Sequence, residues 1–268
     1  MLRLRYHGQT TVPVEAECLT PDNLAGKSVA EIVALPVQHG NAPAPLGEFF
    51  DIVGDAGDGE LLIEGDCRRV KLIGAGMTRG RITVRGDAGM HLGAEMKGGE
   101  IHVYGNAADW VGAEMKGGRI HVRGDAGHLV GAAYRGAAVG MRGGAILVEG
   151  KAGNEIGANM RRGLIAVGGD CGDFAGGGMI AGSVFVFGRP GVRTGAGMKR
   201  GTVAVWGEAA LLPTFRHDCD YRPVFLALYL RQLRAWGFPL KDDSPGVWRR
   251  YSGDLVSLGK GEVLLRLG

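Results

Sequence analysis

Arg81-Ile-Thr-Val-Arg-Gly-Asp-Ala-Gly-Met-His-Leu-Gly-Ala-Glu-Met-Lys-Gly-Gly99 decides how this chain is read, because the chain repeats it. The next nineteen residues, Glu100 to Gly118, match it at Ile101, Val103, Gly105, Gly112, Ala113, Glu114, Met115, Lys116, Gly117 and Gly118. Further units start at Arg119, Ala145, Leu164 and Ser183, with a partial one at Thr202. An earlier unit starts at Glu60 and carries two extra residues near Arg68-Arg69. The unit at Arg119 is seven residues too long, with the excess around Tyr134 to Val139. A period held this regularly means stacked, near-identical turns of backbone.

Each turn opens with an apolar alternation, Ile82-x-Val84, repeated as Ile101/Val103, Ile120/Val122, Ile146/Val148, Ile165/Val167, Val184/Val186 and Val203/Val205. Alternation of β-branched residues predicts a short strand with one buried face. Three glycine corners follow per turn, as at Gly86, Gly93 and Gly99, because glycine reaches backbone angles closed to other residues. Seven of the nine methionines fall in one slot, at Met77, Met96, Met115, Met141, Met160, Met179 and Met198. A metal-binding ladder is one reading of that column; interior filling by a flexible thioether is the other, and the expected one for a coil. A lone turn cannot offset the entropy of ordering its own backbone, so turns must stack to share hydrogen bonds and cover apolar edges.

The expected fold is therefore all-β: a single-stranded right-handed parallel β-helix of about eight coils, roughly 38 Å long at about 4.8 Å per coil. Residues 1–59 are expected to form an N-terminal cap, 60–207 the β-helix, and 208–268 a C-terminal helical cap and tail, giving small α/β caps at both ends. In the first cap Leu2 to Tyr6 alternates like a strand, and Ser28-Val-Ala-Glu31 fits a capping box opening a helix through Leu35. In the last, Tyr221 to Trp236 is predicted helical, with Phe225, Leu226, Tyr229, Leu233 and Trp236 on one face, covering the coil end or the flank. The tail from Val247 predicts a small strand pair against that helix.

A formal charge of +3 over 268 residues gives no argument for nucleic acid or an anionic membrane. Cys18, Cys67, Cys171 and Cys219 show no C-x-x-C spacing, which excludes the usual zinc and iron–sulfur signatures and reads as a reduced, cytoplasmic protein. No stretch approaches the apolar length of a membrane span. His217-Asp-Cys-Asp220 gathers reactive residue types, but neighbours on a strand point to opposite sides, so a connector is expected rather than a nucleophile. His102 and His121 share an outward slot in successive turns, expected as a solvated or partner-facing pair. The glycine corners stand between no strand and helix, so a phosphate cradle is not expected. The slot after the core methionine is different. It holds Lys97, Lys116, Arg142, Arg161 and Lys199, with Arg79, Arg162 and Arg200 one residue further on, while Asp66, Asp87, Asp125 and Asp170 sit on another edge. Such a basic ridge suits an acidic partner or an anionic carrier, or serves as a solvated face. The Tyr134–Val139 excess should bulge from the rod.

Turns of the form I-x-V-x-G-(D/N)-A-(G/A)-x-x-(V/L)-G-A-x-M-(K/R)-x-G resemble the G-x-G-x-G β-helix shared by the C-subunit of formylmethanofuran dehydrogenase and the C-terminal domain of glutamate synthase large chains. The lead-in Leu19-Thr-Pro-Asp-Asn-Leu-Ala-Gly-Lys-Ser-Val-Ala-Glu-Ile-Val-Ala-Leu-Pro36 favours the former. That resemblance implies a subunit of a hetero-oligomeric complex, either a molybdenum or tungsten dehydrogenase or the bacterial formyltransferase/hydrolase complex. In the latter a formyl group passes from tetrahydromethanopterin through a methanofuran-type carrier to formate. The Arg-, Ala- and Gly-rich composition leans toward the bacterial setting. The resemblance further implies that the metal-centred chemistry sits in other subunits, so this chain is expected to contribute no catalytic residue, no metal ligand and no activity of its own. Two rivals are a glutamate-synthase-type β-helix supporting an amidotransferase and a β-helix acyltransferase. The second expects strict hexapeptides, whereas the corners here fall seven, six and six residues apart.

Overall fold

The computed structural model describes residues 1–240 and 246–267. In chain order the elements are β1 (Leu2–Tyr6), β2 (Val14–Glu15), α1 (Pro21–Leu24), α2 (Val29–Val33), β3 (Pro36–His39), β4 (Ala42–Pro45) and β5 (Phe50–Gly54). The repeats supply β6 (Glu60–Glu64), β7 (Val70–Lys71), β8 (Arg81–Arg85), β9 (Glu100–Val103), β10 (Arg119–Val122), β11 (Arg142–Val148), β12 (Arg162–Val167), β13 (Ser183–Val186) and β14 (Arg200–Val205). After them come β15 (Arg216–Tyr221), α3 (Val224–Ala235), β16 (Val247–Gly253) and β17 (Lys260–Leu267).

The eight repeat strands β6 and β8 to β14 lie side by side in parallel, one per coil, so the chain folds as a parallel β-helix. Register follows the period: Ile82 pairs with Ile101, Ile101 with Ile120, and Ile120 with Ile146. The last pairing spans the overlong unit, so the seven surplus residues leave the stack undisturbed. Each coil points the same five side chains inward, as with Ile101, Val103, Ala107, Val111 and Met115, all buried in one continuous core. The methionine column is that core; every one of its seven members is buried. It also explains the third corner. A Cβ on Gly118, at φ +86°, would stand 2.7 Å from Met96 Cε and 2.8 Å from Gly99 O. Only glycine leaves room for the methyl group of the coil below.

Both ends extend the stack. Strand β1 pairs in parallel with β6 and is covered antiparallel by β5, while β17 pairs in parallel with β14 and is covered by β16 and β15. The tail strands thus lengthen the rod, and Trp248 of β16 and Leu264 of β17 also join the apolar cluster that holds Leu226 and Leu233 of α3, as expected of a strand pair packed on that helix. Pro43 and Pro45 sit in β4, the edge strand of a second four-stranded sheet, where proline is tolerated. The Ser28–Glu31 capping box forms as expected, and Thr20 caps a further short helix at Pro21.

The predicted Tyr221–Trp236 helix starts later, at Val224, because Tyr221 closes β15 in a pairing with Trp248. It lies on the rod's flank, burying Leu226 and Leu233 against Ala145, Leu147, Leu164, Ala166, Phe185 and Ala204 on the outer face of the sheet. Leu230, absent from the predicted face, is buried too.

Candidate functional site

The basic ridge is a real column. In successive coils Lys97, Lys116, Arg142, Arg161, Ile180 and Lys199 each donate their backbone N–H to the core methionine carbonyl one coil earlier, at 2.6–2.8 Å. Five of the six are cations, all exposed, and Ile180 interrupts them. Two unit charges about 5 Å apart in water repel by roughly 0.8 kcal/mol, a cost that counter-charges or a bound anion would relieve.

The structure divides the ridge by that criterion. In the first half Lys116 Nζ lies 2.9 Å from Glu95 Oε2. That hydrogen bond, then the charges of Lys116, Lys97 and Arg142, hold the Glu95 carboxyl below its ordinary range. Lys97, Lys116 and Arg142 therefore share one internal carboxylate. In the second half Arg161, Arg162, Lys199 and Arg200 have no carboxylate partner among the described residues. They line a cleft of about 660 Å³ together with Tyr229 and Gln232 of α3 and Trp236, which caps that helix. Main-chain corners at Gly144, Gly163 and Gly182 line it as well.

The aromatic rings are held in place. Arg119 stacks on Trp236 at 5.2 Å and is itself bonded to Glu100 at 2.6 Å. Tyr229 packs edge-on against Phe185 at 5.1 Å and its hydroxyl lies 3.3 Å from Ser183 Oγ. A cleft with cations on one side and aromatic rings on the other has the chemistry to accept an anion that carries an apolar or planar group.

The other candidates resolve into structure. His102 and His121 do occupy the same outer slot, with ring centroids 6.0 Å apart. The solvated pair is not found: His121 is buried, its Nε2 2.8 Å from Glu149 Oε1, and Glu149 also pairs with Arg123. Burial, then the Arg123 charge, pushes the His121 imidazole below its ordinary pKa. His217 and Asp220 lie 3.2 Å apart on β15, where Asp220 takes two 3.0 Å bonds from Arg249. The cluster is thus part of a paired strand rather than a connector. No group of three or more metal-ligating side chains occurs among the described residues.

The acidic edge has a function the sequence reading missed. Asp87, Asn106 and Asp125 each use Oδ1 to accept the backbone N–H of Asn106, Asp125 and Lys151 in the next coil, at 2.7–2.8 Å. Asp170 does the same for Arg189 at 2.9 Å. A second ladder runs from Asp109 through His128 and Asn154 to Asp173. Around the insertion, Tyr134 bonds His91 Nδ1 at 2.9 Å and packs on Trp110 at 4.9 Å, which pins the bulge to the rod. The spacing of both ladders, nineteen residues except for the 26 across the overlong unit, was available as a signal; the bonding was not.

The structure is a parallel β-helix turned by glycine corners, with a cationic groove along one edge. The GXGXG motif family model matches residues 67–226, and the chain belongs to that family, in the group of formylmethanofuran dehydrogenase C-subunits. A solved chain of the formyltransferase/hydrolase complex (FhcABCD) from Methylorubrum extorquens, determined with methylofuran, superposes with a TM-score of 0.90. It is 35% identical, and the match covers 99% of this chain and 100% of that one. The C-subunit of molybdenum-containing formylmethanofuran dehydrogenase 1 from Methanosarcina barkeri is 44% identical over 85 residues, 30% of this chain and 28% of that protein. The C-subunit of tungsten-containing formylmethanofuran dehydrogenase 2 from Methanothermobacter wolfeii is 41% identical over 88 residues, 31% and 33% of the two lengths. The chain spans a third or less of these curated relatives. No helix among the described residues is long and apolar enough to cross a membrane.

Proposed function

We propose that this chain is a scaffold subunit of a formyltransferase/hydrolase complex, resembling formylmethanofuran dehydrogenase, in tetrahydromethanopterin- and methanofuran-dependent one-carbon metabolism. The observation that carries the reading is the full-length likeness to a chain of the Methylorubrum complex, a likeness that includes both ends of the rod. A non-catalytic role is supported by where the reactive side chains go. His121 is committed to Glu149, His217 and Asp220 to strand pairing, and His128 to a backbone ladder. The formyl chemistry and its metal are assigned to other subunits.

The chain's own contribution is to hold those subunits in register and to offer its cationic groove to the carrier. The residues present fit a methanofuran-type carrier: Arg161, Arg162, Lys199 and Arg200 would hold its glutamyl carboxylates and Trp236 or Tyr229 an apolar segment. Lys97, Lys116 and Arg142 continue the same column and would extend the track.

A native pull-down of the tagged chain followed by mass spectrometry tests the scaffold role. A formyltransferase subunit is expected; a glutaminase, or turnover of a formyl compound by the isolated chain, refutes it. For the groove, R161E/K199E and K97E/K116E/R142E assemblies are assayed for turnover against salt. The first set is expected to raise KM for the carrier and flatten the salt dependence more than the second, because Glu95 already screens the first half of the ridge. Unchanged turnover and salt response in both sets removes the groove from the reading.

A further inference from the structure

Helix α3 is apolar on more sides than the rod covers. Its sequence opens Val224-Phe-Leu-Ala-Leu-Tyr-Leu230, seven residues without a charged side chain on the first two turns. A helix on a protein surface should carry a polar outer face; one that is apolar all round is a buried helix. The inner face obeys, with Leu226, Leu230 and Leu233 buried. The outer face does not: Val224 is 81% and Leu228 65% exposed, and the same stripe continues to Arg231 and Ala235. Leu258, 50% exposed, stands at the mouth of the cleft that Tyr229 and Gln232 of this helix also line, beside the exposed Leu255 and Val256.

The formal charges along this helix are all positive. Residues 221–240 contain three arginines and no Asp or Glu. Residues 189–268 hold thirteen Lys and Arg against seven Asp and Glu, a net +6 in a chain whose total is +3, so the remainder is net −3. Arg222 and Arg231, on either side of Val224 and Leu228, make no ion pair among the described residues.

We infer that the outer face of α3, with Leu258 beside it, is a protein-docking surface for a companion subunit that presents an apolar anchor ringed by Asp and Glu. The inference rests on the proposed assembly, and the solved neighbour, alike over 99% of this chain, was determined inside a multi-chain complex. An apolar centre with a cationic border selects its partner by burying the first and pairing the second. A lipid surface fits less well: the exposed stripe holds two aliphatic side chains and no aromatic one, too little to seat a helix in a bilayer interface.

The test uses the companion chains that co-purify in fixed ratio with the tagged wild-type protein. V224E and L228E alter residues that support no internal packing, so circular dichroism and hydrogen exchange of the free chain should match wild type. Affinity for one companion is expected to fall at least about tenfold, as for central interface anchors. A photo-crosslinker at position 228 should label an apolar segment of that companion flanked by acidic residues. If companions bind wild type and both variants equally, the docking surface is wrong and the scaffold role survives. If wild type captures no companion, both fall. Labelling of a second copy of this chain, or L228E-sensitive co-sedimentation with phosphatidylglycerol vesicles, overturns the inference in favour of self-association or lipid.

Discussion

The carboxamide and carboxylate ladder makes a prediction that separates geometry from charge. Asp125 Oδ1 accepts the Lys151 N–H at 2.7 Å, and a Cβ on Gly150 would collide with that same oxygen. Asp125→Ala orphans the Lys151 amide. A hydrogen bond to a charged acceptor contributes about 1.5–3 kcal/mol when water is excluded. Asp125 is exposed, so water recovers much of this and about 1 kcal/mol is expected, equivalent to roughly fivefold faster exchange of the Lys151 amide. Asp125→Asn keeps the acceptor, as Asn106 and Asn154 do at neighbouring corners, and should cost under about 0.5 kcal/mol. Gly150→Ala should displace the carboxylate and behave like Asp125→Ala, so the double variant should cost less than the two singles together. Native-state hydrogen exchange at Lys151, read beside the urea midpoint, measures each. The reasoning fails if Asp125→Asn is as damaging as Asp125→Ala, or if the two substitutions add.

Other consequences follow from the core and the titrating groups. Met115→Ala should cost about 2–5 kcal/mol through the cavity it leaves, and Met115→Leu under about 1.5, by denaturant unfolding. His121 is held neutral by burial, so its folded pKa lies below the unfolded value of about 6.5. Its contribution to stability is complete above that pH and is lost as pH falls through the folded value; His91, lowered first by burial and then by Lys71, acts the same way. The melting temperature should drop as pH falls below about 6.5, and His121→Gln should flatten that slope. Burial pushes the Cys67 and Cys171 thiols up to about 12 and Cys18 to about 11. Alkylation of the native protein at pH 8 should therefore modify exposed Cys219 first and the other three only on unfolding.

The coil was legible because nineteen-residue spacing forces Ile101, Val103 and Met115 into columns whatever lies outside them. The flank helix left a trace as well. Along the outer slot Thr83 and His102 give way to Leu147, Ala166, Phe185 and Ala204, which are apolar because α3 covers them. His121 stands at that boundary, between Arg119, which stacks on Trp236, and Arg123, which donates to the Gly237 carbonyl, partners more than a hundred residues downstream that no local pattern encodes. The ridge was visible as a column, but its division was not. That depends on Glu95, two positions from Lys97, adopting φ +54° and reaching Lys116. The acidic edge was read as charge because only the stacked geometry shows each oxygen facing an amide of the next coil.

The bulge at Tyr134–Val139 shows that this architecture counts only whole periods: Arg119 still meets Ala145 across it, as though nothing intervened. Excising residues 100–118 would join Gly99 to Arg119 in an equivalent setting and bring the two extremities about 4.8 Å closer, with neither one altered. The molecule is in that sense a graduated spacer. Its length could be reset in whole notches to ask how far apart the bodies fastened to it must stand.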